Sequence, residues 1–212
     1  DVVLACYSIV DADVEVFVGS HENRALKTVE HFHSESAASG RIDTIIKKEA
    51  VLDGETSYTK VYVAGKPVFV EVGDTISISY GIALDIGTTT IVAALIDLNS
   101  GETVGSSSTL NPLVFYGNDV MSRIRYSVSQ KDGLLKMHRE LISAVNLLIN
   151  VLTTDTGVKP ENIYQLAAAG NTTMQHIFLN KEIAGIGEYP YRAVVLDTFT
   201  TTAKELAVRI AD

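Results

Sequence analysis

Residues Tyr80–Leu98 read YGIALDIGTTTIVAALIDL, two apolar runs, Gly81–Ile86 and Thr90–Leu98, joined by Gly87-Thr88-Thr89. β-Branched side chains dominate both runs (Ile82, Ile86, Thr90, Ile91, Val92, Ile96), which suits a buried pleated surface, so the stretch is read as two strands and a tight connection. Gly87 is expected to take positive φ at little cost and to let the backbone approach a ligand closely. The turn amides, with the hydroxyls of Thr88, Thr89 and Thr90, make a donor-rich concavity suited to phosphate oxygens. Asp85, just before the turn, is the carboxylate placed to hold a hydrated Mg²⁺ beside such phosphates. On these residues alone an ordinary hairpin also fits.

Downstream, Asn99-Ser100-Gly101-Glu102 is a turn signal, and Thr103–Leu110 reads as a third, antiparallel strand that completes a meander. In Asn111–Val120 (NPLVFYGNDV), Asn118 or Asp119 caps a helix whose inward positions are Val120, Ile124 and Val128, with Arg123 and Arg125 read as solvated. Asp132 opens a long helix. Leu134, Leu141, Val145, Leu148 and Leu152 fall on one face, widened by Leu135, Ile142 and Ile149, and Gly157 and Pro160 end it. His138 beside that stripe reads as a structural histidine. Ile163–Ala169 is a strand, followed by Gly170-Asn171-Thr172-Thr173 and a helix from Thr172 with Asn171 as its N-cap. Strand, small polar turn and helix N-terminus make a second anion-facing candidate, and a plain capped turn fits these residues equally. His176 is expected to pack. Beyond it come a loop at Glu188–Tyr191, a Thr-rich stretch at Thr198–Thr202 and a short helix over Ala203–Ile210.

Upstream, Glu49–Ser79 has β character: Val61–Val63 and Val68–Val72 flank the turn signal Ala64-Gly65-Lys66-Pro67, and Gly73-Asp74 is a further turn. This is a small β module whose default role is packing or self-association. Gly19–Lys48 is polar, with Ser34–Gly40 its most linker-like part. His21, His31 and His33 have no cysteine or carboxylate spaced to complete a metal site, so they read as solvated. Asp1–Val18 contains short β-like pieces around Cys6, which by itself reads as a buried small hydrophobe.

Among the 212 residues 46% are hydrophobic, enough for a core, and the net charge is −9. An acidic chain does not offer the concentrated Lys/Arg of a nucleic-acid surface. The longest apolar run is too short for a membrane span, and the opening residues do not read as a signal peptide, so neither membrane insertion nor export is expected. The single cysteine excludes internal disulfides and fits a reducing, cytoplasmic compartment. A start at Asp1 rather than Met is read as a fragment.

Taken together, ALDIGTTT (Ala83–Thr90), NPLVFYGNDVMSRI (Asn111–Ile124) and AAGNTTMQH (Ala168–His176) resemble, in order and separation, the reductive activators of corrinoid proteins. The first of them alone resembles the first phosphate-binding hairpin of the actin/hexokinase/acetate-kinase superfamily. The resemblance implies an α/β chain, α+β overall. Residues 1–18 would be the tail of a [2Fe–2S] ferredoxin-like domain, 19–48 a linker and 49–79 the small β module. Residues 80–212 would be the first subdomain of an actin-like, ribonuclease H-like ATPase domain with a mixed sheet and flanking helices. It implies an ATP-dependent repair activity in which an iron–sulphur cluster passes an electron to an inactive Co(II) corrinoid, returning it to Co(I).

By the same resemblance, Asp85 would hold Mg²⁺ through water, and Gly87, Thr88, Thr89 and Thr90 would bind the β- and γ-phosphates of ATP. Asn171 and Thr172 would orient the attacking water, with Gly170 and Thr173 of the same turn binding the nucleotide. Asn111, Gly117 and Asp119 belong to the shared signature in a structural or interface role. Leu4-Ala5-Cys6-Tyr7 is similar to the end of a plant-type [2Fe–2S] ferredoxin, which would make Cys6 the fourth cluster ligand. A cluster needs four thiolates and this chain has one, so the cluster would belong to the parent protein. The expected partner is a corrinoid methyl-carrier protein, with a homodimer allowed and neither nucleic acid nor membrane involved. The second phosphate turn and the adenosine turn are expected beyond Asp212, which would leave this chain an incomplete ATP site. Two other readings share the DIGTTT motif: a small-molecule kinase of the same superfamily, and a non-catalytic interaction half-domain. The kinase reading lacks an identifiable carboxylate base and leaves Cys6 and the β module unexplained.

Overall fold

A computed structural model describes residues 44–211. Cys6, the ferredoxin-like tail and the three upstream histidines lie outside the described residues.

The meander read from Tyr80–Leu110 is present. Strands β4 (Tyr80–Ile86), β5 (Thr90–Asp97) and β6 (Thr103–Leu110) pair antiparallel in sequence order. A later strand, β7 (Ile163–Gly170), joins the free side of β4 in parallel, so the sheet runs β6-β5-β4-β7. The return to a parallel partner needs a long crossover. It is supplied by helices α1 (Val120–Ser129) and α2 (Gly133–Thr156). Alternation along the strands buries Ile82, Leu84 and Ile86 of β4 and Ile91, Ala93 and Leu95 of β5 in one core. The α2 stripe fills that core with Met137, Leu141, Val145, Leu148, Ile149 and Leu152. Gly157, at φ 73°, ends α2 by donating its amide to Thr153 O. The fold is a mixed α/β arrangement with antiparallel and mixed sheets, as the sequence implied.

A second sheet precedes it, β1 (Ile46–Asp53), β2 (Thr56–Val63) and β3 (Lys66–Val72), antiparallel in that order. Its first strand starts inside the stretch that reads as linker. Ile46 is buried and pairs with Val63, and the run of charges Lys47-Lys48-Glu49 had hidden the alternation. Lys48 fastens this sheet to the other. Its ammonium donates to Glu71 Oε2 (2.8 Å), to Ile78 O (2.7 Å) and to the Tyr164 hydroxyl on β7 (2.8 Å). Tyr164 in turn donates to Glu71 Oε1 at 2.6 Å. Burial first, then the Glu71 carboxylate, pushes the Tyr164 hydroxyl well above its ordinary value, so it remains a donor.

After β7 come α3 (Thr172–Phe178) and two one-turn helices, α4 (Ala184–Gly187) and α5 (Ala203–Leu206). The helix expected over Ala203–Ile210 stops early because Ala207 turns left-handed at φ 58°. Among the described residues no helix is long and apolar enough to cross a membrane.

Candidate functional site

Strand β4 delivers Asp85 to the edge of the Gly87–Thr89 turn. Its neighbours Leu84 and Ile86 face the core, so Asp85 faces the other side of the sheet and is exposed. Across the sheet it lies opposite Val92 on β5 and Ala169 on β7. Gly87 is required for a different reason from the one expected. Its φ is not positive. A Cβ there would instead stand 2.5 Å from Thr90 O, an overlap with backbone that the hairpin cannot relieve cheaply.

The carbonyls of this turn are all tied back into the protein. Gly87 O accepts from Asn111 Nδ2 at 2.7 Å, Thr88 O from Arg123 Nη2 at 2.6 Å, and Thr89 O from the Asn111 amide at 2.8 Å. In a trans peptide the C=O of one residue and the N–H of the next point in opposite directions. Anchoring Gly87 O and Thr88 O therefore aims the amides of Thr88 and Thr89 outward. Among the described residues no acceptor takes the amides of Gly87, Thr88 or Thr89. A row of outward amides beside threonine hydroxyls has the donor chemistry that suits an anion.

Asn111 and Arg123 are both fully buried. Asn111 caps a short 3₁₀ turn, Pro112–Phe115, by accepting from Leu113 N at 2.9 Å, while its amide nitrogen holds Gly87. Arg123, expected in solvent, instead reaches inward from α1. Besides Thr88 O it bonds Gly117 O through Nε (3.0 Å) and meets Met174 Sδ on α3 through Nη1 (3.1 Å). Burial moves its guanidinium below its ordinary value, with Asp119 opposing the shift. Gly117 has to be small, since a Cβ would lie 2.2 Å from Ser122 Oγ. Asp119 caps α1 reciprocally with Ser122, and that settles the choice between Asn118 and Asp119. Val128, expected inward, is exposed. The missed signal is that Val120, Arg123 and Ile124 share one helical face, so a charge sits within an apolar stripe.

The second turn comes to the first. Gly170 lies opposite Ile86 in the β4–β7 register, and a Cβ there would come within 2.8 Å of Ile86 O. Asn171 caps α3 by accepting from Met174 N at 3.0 Å and donates Nδ2 to Thr88 Oγ1 at 3.1 Å. Asn171, Thr172 and Thr89 are exposed, and Gly87, Thr88, Thr90 and Gly170 are half-buried. Thr173 is buried, so its side chain serves the core. Helix α3 has only seven residues, which leaves it a short macrodipole. His176 is buried: its Nδ1 donates to Thr172 O (2.6 Å), and its Nε2 accepts from Val194 N and Val195 N. That pattern requires the neutral ring with its proton on Nδ1. His138 bonds Ile177 O at 3.1 Å, a structural role as read from the sequence.

Among the described residues no group of three or more His, Cys, Asp or Glu is placed to hold a metal. A single carboxylate such as Asp85 is the kind of ligand a hydrated Mg²⁺ takes when phosphate oxygens share its charge.

The family model described as the RACo middle region matches residues 80–212. The corrinoid activation enzyme RamQ of Eubacterium limosum is 33% identical over 121 residues, covering 57% of this chain and 20% of that enzyme. A solved structure of a reductive activator for corrinoid, iron–sulfur protein superimposes with a TM-score of 0.69 at 34% identity, covering 73% of this chain and 25% of that one. The chain thus spans between 20% and 25% of the length of these relatives.

Proposed function

Since the chain belongs to the RACo middle region family, we propose that it holds ATP phosphates within a reductive activator that returns corrinoid methyl-carrier proteins from Co(II) to Co(I). The observation that carries this reading is the bond between Asn171 Nδ2 and Thr88 Oγ1, which joins two phosphate-facing turns 83 residues apart in sequence. RamQ is a corrinoid activation enzyme, and the structural relative acts on a corrinoid, iron–sulfur protein. The same class of partner is proposed here.

Asp85 would hold a hydrated Mg²⁺ beside the phosphates. The amides of Gly87, Thr88 and Thr89 and the hydroxyls of Thr88, Thr89 and Thr90 take phosphate oxygens. Asn171, fixed by its cap bond to Met174 N, orients a water at the γ-phosphate with Thr172 beside it, and Gly170 permits the close approach of β7 that brings them there. These are contributions of position and charge, with no covalent step by the protein. Mg-ATP supplies the free energy for an electron transfer that is uphill by itself. The chain biases that transfer by binding nucleotide better in one state of the protein than in the other. A [2Fe–2S] cluster is the proposed electron source in the whole protein. With one cysteine this chain does not supply its ligands. A reducing cytoplasm suits both the thiol and Co(I).

The test is ATP-dependent reduction of a Co(II) corrinoid protein, followed by its visible spectrum, using the protein extended to the length of its relatives. Asp85→Ala is expected to slow the reduction about 100-fold or more. Reduction at the unaltered rate, or reduction indifferent to ATP, would overturn the reading.

A further inference from the structure

Arg123 carries a full positive charge in a fully buried position, and its nitrogens go to neutral acceptors, Gly117 O, Thr88 O and Met174 Sδ. Among the described residues the one ion pair is Lys48–Glu71, so no carboxylate there pairs with Arg123. Asp119 acts on it only at a distance, with its carboxylate committed to the α1 cap. Burying a cation without an anion is costly, and a neutral or apolar side chain of similar volume would fill the space more cheaply. A neutral amide would suffice to anchor one carbonyl, as Asn111 does for Gly87. The charge itself therefore needs a use.

The geometry gives it one. Arg123 bonds the carbonyl of the Thr88–Thr89 peptide from behind, and the N–H of that peptide points the opposite way, out of the turn. Pulling electron density toward the carbonyl oxygen strengthens the outward N–H as a donor. The same buried charge acts directly on an anion in the concavity, through protein rather than water.

We propose that Arg123 is the buried counter-charge of the Gly87–Thr89 turn, and that it makes the turn select polyphosphates by their negative charge. It is a positioning and electrostatic residue that does not touch the ligand. The inference rests on the phosphate reading given above.

Calorimetric titration of orthophosphate, pyrophosphate and tripolyphosphate into the protein extended to the length of its relatives, without magnesium and at low salt, tests it. Wild-type affinity should rise with each added ligand charge. Arg123→Met should lose about tenfold per unit of ligand charge, bringing the three ligands together. Arg123→Lys, which keeps the charge and loses the fork, should bind all three more weakly while keeping their spacing. Circular dichroism establishes that each variant is folded; if Arg123→Met is not, Arg123→Gln, which keeps a donor and removes the charge, takes its place and should likewise bring the three ligands together. An equal loss for all three ligands in both variants would make Arg123 a strut alone and overturn the proposal. Wild-type protein that binds none of the three would overturn the phosphate reading itself, and the proposal with it.

Discussion

Asn111 uses both ends of its side chain: one holds Gly87 O and the other caps the turn after β6. Asn111→Leu keeps the volume and leaves a buried carbonyl and amide without partners, at a cost of about 1–3 kcal/mol. Urea unfolding should show stability lowered by that amount, as a lower midpoint at unchanged slope, and an unmoved midpoint would contradict the role given to Asn111. Gly87→Ala forces a Cβ against the Thr90 carbonyl and should cost about as much as an overpacked core position, roughly 1–3 kcal/mol. At this scale the two turns themselves were legible, because Asp85, Gly87, Thr88 and Asn171 lie in short polar runs at the ends of apolar strands. On the supporting side, the resemblance gave Asn111 a structural or interface role without its partners, and Arg123 read as solvated. Asn111 and Arg123 act through carbonyls 24 and 35 residues away, and an arginine on a helix is ordinarily exposed.

Among the elements, α3 holds the C-terminal segment through one side chain. His176 Nε2 accepts from both Val194 N and Val195 N. His176→Phe retains the bulk and removes that acceptor. Limited proteolysis should then cut between Glu188 and Thr202 sooner than in wild type, whereas an unchanged cleavage pattern would mean that other contacts hold the segment. Strands β4 to β7 and helices α1 and α2 follow from periodicities of two and 3.6 in the sequence. Helix α4 was invisible because one turn of AGIG presents no stripe. The start of β1 was hidden by its charges, although Lys48 is one of the most consequential residues of that strand.

At the scale of the described molecule, the Lys48, Glu71 and Tyr164 cluster couples the small sheet to β7, the strand that leads into Asn171. The Lys48 side chain is 4% exposed and that of Glu71 is 19% exposed. Lys48→Met leaves the carboxylate without its cation and should destabilise by about 3 kcal/mol, toward the lower end for broken buried pairs because Glu71 meets some water. Burial pushes the Glu71 carboxyl up, but the bonds from Lys48, Thr75 and Tyr164 outweigh it and leave its value below the ordinary 4.5. A depressed carboxylate adds stability above its unfolded value and loses it as pH falls through the folded one. Melting temperature should therefore drop as pH falls below 4.5, and Glu71→Gln should flatten that part of the profile. Identical profiles would remove Glu71 from the account.

The measurement that bears most directly on the phosphate turn is amide exchange of the Gly87–Thr89 turn by ¹H–¹⁵N spectroscopy in the protein extended to the length of its relatives, with and without saturating Mg-ATP. The amides of Gly87, Thr88 and Thr89, which have no acceptor among the described residues, should exchange fast alone. With nucleotide they should shift and slow, and Asp85→Ala should abolish the effect. Amides of this turn that neither shift nor slow at millimolar Mg-ATP would make Gly87–Thr89 a plain hairpin and contradict the account.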